Sequence, residues 1–530
     1  MKKRLFLLPV VSALTLAPLT GCQKSYSEYK LVVRYYPGGY GIDWMEDYIK
    51  EYLAEKNGGN PNDYVVGKDF KLIPDADINY GASKYLKSKK ECPDLILSNF
   101  LEPENVQAGL VADLNSVYNT EVNTSYGKVK IKDYIDENIL NKFSYQQRYG
   151  QGEEYAWGMP WSTIPCAMSY NETLLKQINH VSSIAVKDDA IVDGKWNRPP
   201  ETVTELSAYF EDIDNYNQVN NKNIIKLSWA AKDGSQWLEF MLHVWWAQYQ
   251  GVFTSRVAGE NAYYDFYNCR SEEEFKQSGL QYALGVLKNL ITTDEGADGK
   301  FINGPTDPLS DTIKDSQTAF ARGNAAMCLT GDFFEKEYKT WLDESKQVIK
   351  MMRVPSIDNA EKNEHGEDIK LVKLQTEAVM YVPQNAIHRA EAKELLAFMC
   401  NEDKLMDFTK KTGGIRPFDY NPIELEPDYA WTDFQKSVFD IYYNSDEKLM
   451  IYPKNEAAAG KTLSPVYYYH YSSVVTPFMS HNSLTILSKL RKLTPKQIMV
   501  DGVEGSFDSV YKLAKRQYDD WRKIYDLDAE

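Results

Sequence analysis

Cysteine and histidine are scarce here, six of each in 530 residues, and neither type is grouped. His180, His243, His365, His388, His470 and His481 show no ligand spacing, so a metal site is not expected. No two of Cys22, Cys92, Cys166, Cys269, Cys328 and Cys400 lie close in sequence, which argues against a disulfide scaffold. Settings such as Ala325-Ala326-Met327-Cys328-Leu329 suit buried free thiols instead. Catalytic signatures are missing as well: there is no GxSxG elbow, HExxH, P-loop or CxxC. Asp294-Glu295-Gly296-Ala297-Asp298-Gly299 lacks the alternating acids of a calcium loop and reads as a turn. Positive charge is in deficit, 60 Lys+Arg against 76 Asp+Glu, a net −16 that repels phosphate backbones and excludes nucleic acid as a partner. No cofactor is expected, and a non-enzyme is the first reading. A secreted glycoside hydrolase working through two carboxylates stays open, since no spacing rule can exclude it among 76 acids.

What is present begins at the N-terminus. Lys2, Lys3 and Arg4 precede the mostly apolar Leu5–Leu19, interrupted by Pro9 and Pro18. That run is too short for a membrane span of about 20 residues and suits a signal peptide. It ends in Leu19-Thr20-Gly21-Cys22, which resembles the bacterial lipobox and makes Cys22 the expected site of lipidation. Residues 1–21 are then the signal peptide, 22–30 a polar tether, and the protein sits lipid-anchored on the outer face of the cell membrane. Losing Lys2, Lys3 and Arg4 takes the net charge from −16 to −19. What remains exceeds one ordinary core, so two or more lobes are expected.

The pattern along the chain is α/β. Leu31–Tyr36 reads as a strand, Pro37–Gly41 as a turn, and Trp44, Met45, Tyr48, Ile49, Tyr52 and Leu53 as one face of a helix. Asp94–Asn99, residues 323–329 and 371–383 read as further strands. Thr202 followed by Glu205 predicts a capping box, residues 236–249 a buried helix, and 391–411 a helix stopped by Gly413-Gly414. Phe507 to Tyr525 predicts an amphipathic terminal helix. No internal repeat or low-complexity linker marks a boundary.

Five blocks, in order, resemble the sugar-binding extracellular solute-binding proteins of ABC importers, the class that includes maltose-binding protein. They are Tyr35–Gly41; Pro93-Asp94-Leu95-Ile96 with Gly109–Leu114; Tyr155–Pro160 with Ser169–Leu174; Phe320–Met327 with Gly331-Asp332-Phe333-Phe334; and Ala392–Phe398 with Gly413–Pro417. The resemblance covers about residues 28–425. It implies a two-lobe α/β fold of the periplasmic-binding-protein type (type II) with hinge crossovers. Lobe 1 would take 31–157 and return at about 372–420, lobe 2 would take 158–371, and 421–530 would form a helical C-terminal extension packing across the lobes. The implied partners are a membrane permease and its ATPase, since no ATP-binding motif is present, and the expected state is a monomer. The family often has Trp where Phe333 stands.

A sugar offers an apolar C–H face for aromatic stacking and hydroxyls for planar donors and acceptors. With 38 Tyr and 11 Trp against 20 Phe, aromatic rings with polar handles abound. Trp161, just past the lobe crossing, and Trp229 are the expected platforms. Trp44 and Trp521 lie on amphipathic stripes and are expected in the core, as are at least two of Trp237, Trp245 and Trp246. Tyr40 and Asn99 stand at the ends of first-lobe strands, where ligands enter α/β crevices. By the resemblance, Asp332, Phe333 and Arg416 join them, and Glu377 could reach in from the second crossover. The expected ligand is a carbohydrate, most simply an oligosaccharide; a peptide or another polar metabolite is the rival cargo, and a surface adhesin a third class.

Overall fold

The computed structural model describes residues 25–99, 101, 105–106, 108–137, 139–140, 146–147, 154–230, 235–268, 277–291, 311–376, 378–449 and 494–499. Cys22, Cys269, Asp294–Gly299, Glu377, Trp521 and the 507–525 segment lie outside these residues, as does the side chain of Trp237.

In chain order the main elements are β1 (Leu31–Tyr35), α1 (Asp43–Asn57), β2 (Phe70–Pro74), β3 (Leu95–Ser98), β4 (Met159–Pro160), β5 (Ile164–Asn171), α2 (Val203–Asn220), β6 (Ile225–Ser228), α3 (Ser235–Gln250) and α4 (Ser278–Ile291). There follow α5 (Ile313–Ala321), β7 (Ala325–Thr330), β8 (Ile349–Met352), β9 (Leu371–Gln375), β10 (Val379–Tyr381), α6 (Arg389–Phe398), α7 (Glu402–Thr412), α8 (Asp433–Tyr443) and β11 (Glu447–Leu449). They build two sheets. The first runs β2-β1-β3-β10-β4, with β1 parallel to β2 and β3, and β10 antiparallel to its neighbours. The second runs β6-β7-β5-β9-β11, with β8 also paired to β5. Each sheet is the centre of one lobe, and the return strand β10 is inserted between β3 and β4.

Strand pairing places the crossings later than expected. β4 still pairs in the first sheet and β5 from Ile164 in the second, so the first crossing is 161–163 rather than 157–158. β9 bonds to β5 across Lys373–Gln375 and Cys166–Ile164, and β10 joins the first sheet from Val379, so the second crossing falls between Gln375 and Val379 rather than at about 372. The chain passes to the second lobe once more between Leu425 and Asp433: α8 lies against β8, where Ser437 Oγ accepts from Met351 N at 2.8 Å, and β11 adds a parallel strand to β9. Residues 433–449 are therefore built into the second lobe, as helix and strand.

Several motif residues act as fasteners. Asp94, buried, accepts from Val32 N (2.9 Å) on β1 and from His388 N (2.8 Å) at the start of α6. Asn171 caps the short helix after β5 through Leu174 N at 2.9 Å. Thr202 caps α2 through Glu205 N at 3.1 Å, but the reciprocal half of the expected capping box does not form. The Glu205 carboxylate instead accepts from Arg198 Nη1 and Glu201 N, both at 2.8 Å, because a buried acid gains more from a guanidinium. The single helix expected over 391–411 is two, broken at Met399–Asn401, and Gly413 ends the second in the left-handed region at φ 76°. Trp44, Trp245 and Trp246 are wholly buried, and Cys92, Cys166, Cys328 and Cys400 are buried free thiols.

Asp212 shows how lobe 2 holds its periphery. Fully buried, it accepts from Trp196 Nε1 (2.8 Å), Val181 N (2.7 Å) and Ser182 N (2.8 Å) and contacts His180 Nδ1 at 2.8 Å. Asp212→Ala strands these donors in a low-dielectric site and should cost about 3–5 kcal/mol, read as an earlier urea transition of the second lobe.

Candidate functional site

The two sheets meet at the crossings. Trp161 N donates to Ala378 O (3.3 Å), tying the first crossing to the second, and Thr163 N donates to Ile415 O (2.9 Å), tying it to the segment after α7. Ile415 N in turn donates to Asp332 Oδ2 at 3.3 Å, and Asp332 follows β7 in the second lobe. From the first lobe Tyr40 OH donates to Asp332 Oδ1 at 2.5 Å. Residues far apart in sequence thus converge on one carboxyl.

Aromatic rings surround it. Tyr40 meets Trp161 edge-on with centroids 5.7 Å apart, Phe333 at 6.1 Å and Phe408 at 5.5 Å. Trp161 stacks on Trp44 at 5.7 Å and 23°. The offset and edge-on geometry is the favourable one for rings with a negative face and positive rim. Two glycines make room: a Cβ on Gly414 would stand 2.5 Å from Tyr40 Cε1, and one on Gly331 would stand 2.5 Å from Ile164 Cγ2 and 2.7 Å from Phe333 Cε1. The Gly-Asp and Gly-Gly blocks of the sequence are therefore the places where backbone must pass against these rings.

Of the residues singled out in the sequence, Tyr40, Trp161, Asp332 and Phe333 come together. Tyr40 and Asp332 are 2% and 1% exposed, and Trp161, at 8%, keeps an indole N–H with no acceptor among the described residues. Arg416 borders the cluster through Ile415, but its guanidinium turns away: Nη1 donates to the Met399 carbonyl at the end of α6, and the cation lies 5.2 Å from the Phe418 ring. No carboxylate pairs with it among the described residues. Asn99 ends β3, its backbone N–H bonded to Asn79 Oδ1 at 2.9 Å, and Trp229 is buried in the second-lobe core; neither joins the cluster. Sequence reasoning missed Phe408, whose place on α7 carries no signal of its own, and assigned Trp44 only to the core. It also passed over Tyr36, an exposed ring at the end of β1 that lies over Gly38.

Burial governs the electrostatics. It pushes the Asp332 carboxyl up to about 7, against the lowering pull of hydrogen bonds from Tyr40 and the backbone, and burial next to Asp332 holds the Tyr40 hydroxyl well above its ordinary range. On the next turn of chain Lys336, half-buried, reaches toward Gly41 of the first lobe, and desolvation lowers its ammonium despite Asp43 nearby. No group of His, Cys, Asp or Glu among the described residues could hold a metal, and no described helix is long and apolar enough to cross a membrane. A groove of about 640 Å³ lies elsewhere, in the second lobe beside β8 and α8; its charges are paired, as in Arg353–Asp440 (3.2 Å) and Lys187–Glu201 (3.3 Å).

Comparison with known proteins agrees with this architecture. The profile of the bacterial extracellular solute-binding proteins matches residues 82–429. The chain belongs to that family. The family's members are binding proteins. Among solved structures, a chitin oligosaccharide binding protein superposes with a TM-score of 0.56 at 15% identity, over 92% of this chain and 98% of its own. The GacH receptor of Streptomyces glaucescens, solved alone and with acarbose, gives 0.55 at 12% identity over 93% and 98%. A probable secreted solute-binding lipoprotein from Streptomyces coelicolor gives 0.52 at 14% identity over 87% and 97%. At these identities the likeness is one of fold, and it bears out the two-lobe arrangement. No curated protein matches the chain in sequence.

Gly414→Ala drives a methyl into Tyr40 and, at 3.1 Å, toward Phe408 Cε1. Overpacking of this kind should cost about 1–3 kcal/mol, measured as a lowered Tm with unchanged far-UV circular dichroism.

Proposed function

We propose that this protein is the substrate-binding component of an ABC importer, that it takes a carbohydrate between its two lobes, and that it passes the ligand to a membrane permease driven by a separate ATPase. The observation that carries the reading is the seam itself: rings from both lobes, Tyr40 and Trp44 from the first, Trp161 at the crossing and Phe333 from the second, gather about a carboxyl that can accept from a hydroxyl. Stacking on C–H faces plus hydrogen bonds to planar acceptors is what sugar recognition requires. Chitin oligosaccharide and acarbose as ligands of structural neighbours support the same class.

On this reading opening of the lobes exposes Tyr40, Phe333 and Asp332 to ligand, and closure buries it. Tyr40, Asp332 and Phe333 are the first contacts, with Trp161, Asn99 and Glu377 candidates for an extended ligand. Phe333 stacks less strongly than the tryptophan its relatives often carry at this position. Cys22, lipidated after loss of residues 1–21, tethers the monomer to the outer membrane face beside its permease.

A panel of mono- and oligosaccharides and short peptides tests this by thermal denaturation. A specific oligosaccharide at about 100 times its Kd should stabilise the protein by about 2.7 kcal/mol, without being hydrolysed. Phe333→Ala should then weaken binding about tenfold by isothermal titration, the loss of roughly 1.4 kcal/mol of stacking. Stabilisation by peptides alone would overturn the cargo assignment, and hydrolysis of a panel member the binding role.

A further inference from the structure

The hydrogen bond between Tyr40 and Asp332 joins a loop of the first lobe to the end of β7 in the second, and both side chains are buried. Hinge-jointed lobes part at such a seam, so this bond must be broken or remade when they do. We propose that Tyr40 and Asp332 form a proton-gated latch that holds the two lobes together while the Asp332 carboxyl is neutral and loosens as it ionises.

The surroundings of Asp332 explain why charge opposes closure. The titratable groups that face it are hydroxyls: Tyr40 from the first-lobe loop, Tyr420 from the segment after α7 and Tyr442 from α8. Cys166 of β5 faces Tyr40. Among the described residues no lysine, arginine or histidine pairs with the carboxyl. The nearby cations are spent elsewhere: Arg416 on the Met399 carbonyl, Lys411 on Asp47 (2.6 Å) and Asp407 (2.8 Å). Lys336, on the short helix that follows, faces Asp43 and Lys411, and burial lowers its ammonium from the ordinary lysine value. An ionised Asp332 in the closed seam therefore has hydrogen bonds but no countercharge, whereas opening returns it to water. In the neutral form the roles reverse: the carboxyl O–H donates to Tyr40 Oη, and Ile415 N still donates to the other oxygen.

The sign follows from linkage. Burial raises the carboxyl to about 7 in the closed seam from an ordinary value of 3.8. Closure takes up a proton between those values, so its equilibrium constant is largest at low pH and falls as pH rises, by at most about tenfold per pH unit for one group. Closure at the outer cell surface would then respond to local acidity.

The test uses the full chain carrying Cys22→Ser, without ligand, by small-angle X-ray scattering from pH 5 to pH 8. The wild-type radius of gyration should grow with pH. Asp332→Asn keeps a neutral partner for Tyr40 and should stay compact throughout. Tyr40→Phe loses the bond, and should open at lower pH than wild type while keeping a pH response. A flat wild-type curve, or the same curve for Asp332→Asn, overturns the latch. Should Asp332→Asn fail to fold, hydrogen exchange of wild-type segments 36–42 and 413–416, corrected for intrinsic rates, decides instead: protection falling from pH 5 to pH 8 supports the latch and constant protection overturns it. Ligand plays no part in these measurements, so their failure would leave the receptor assignment standing, and failure of the ligand panel would leave the latch standing.

Discussion

Three parts of the chain that connect or border the two sheets are hydrogen-bonded to one another at a single place: 161–163, Ala378 and 413–416. Trp161 N on Ala378 O, Thr163 N on Ile415 O and Ile415 N on Asp332 form a short chain of bonds through which any relative motion of the lobes must pass. Backbone groups buried at such a junction cannot be left unpaired without a cost near that of a lost hydrogen bond. The junction is therefore a constraint on everything around it. It explains why glycine stands at 331 and 414, where a Cβ would strike a ring or the Ile164 side chain. It also explains why the aromatic cluster is built from residues so distant in sequence: they are the ones the crossings bring together.

How much of this was legible depended on whether a residue's role was local or borne by the junction. The α1 stripe from Trp44 to Leu53 announced itself by spacing, and Trp44 is as buried as that stripe requires. The Gly331-Asp332-Phe333 and Gly413-Gly414 blocks were recognisable as motifs, and Tyr40, Asp332 and Phe333 do meet. Phe408 was not legible, because on α7 it is one more apolar residue until α7 is placed against Tyr40 and Trp44. Arg416 was legible as a motif residue but not in its geometry: a guanidinium beside a helix end finds the Met399 carbonyl, left without an intrahelical partner, before it finds the seam. The same competition diverted Glu205 from its capping box to Arg198. In each case local pattern named a residue and tertiary contact chose its partner.

Crossing positions were shifted for a related reason. Periodicity marks the interior of a strand, whereas a crossing is defined by which sheet the strand joins, and that is decided by pairing. β9 and β10 read as one extended segment, yet Lys373 bonds toward Cys166 in one sheet and Met380 toward Leu97 in the other. The change of lobe falls between Gln375 and Val379, and no break in the pattern of the sequence declares it.

A receptor that closes on its ligand must not close too well on itself. Every kilocalorie by which the lobes prefer their own contacts is subtracted from the free energy of binding, since the ligand must first recover the competent form. Rings that meet across the seam, as Tyr40 and Phe333 do, favour self-contact. A carboxyl enclosed with them, raised from 3.8 to about 7 and given no cation, acts increasingly in the opposite sense as pH rises between those values. Replacing Asp332 by an apolar residue would remove that opposing term, and pairing it with a lysine would reverse it; either would favour closed lobes with nothing between them. The buried acid is thus better understood as a counterweight to the aromatic cluster than as one more stabilising contact, which is why it stands where the lobes meet and not within either core.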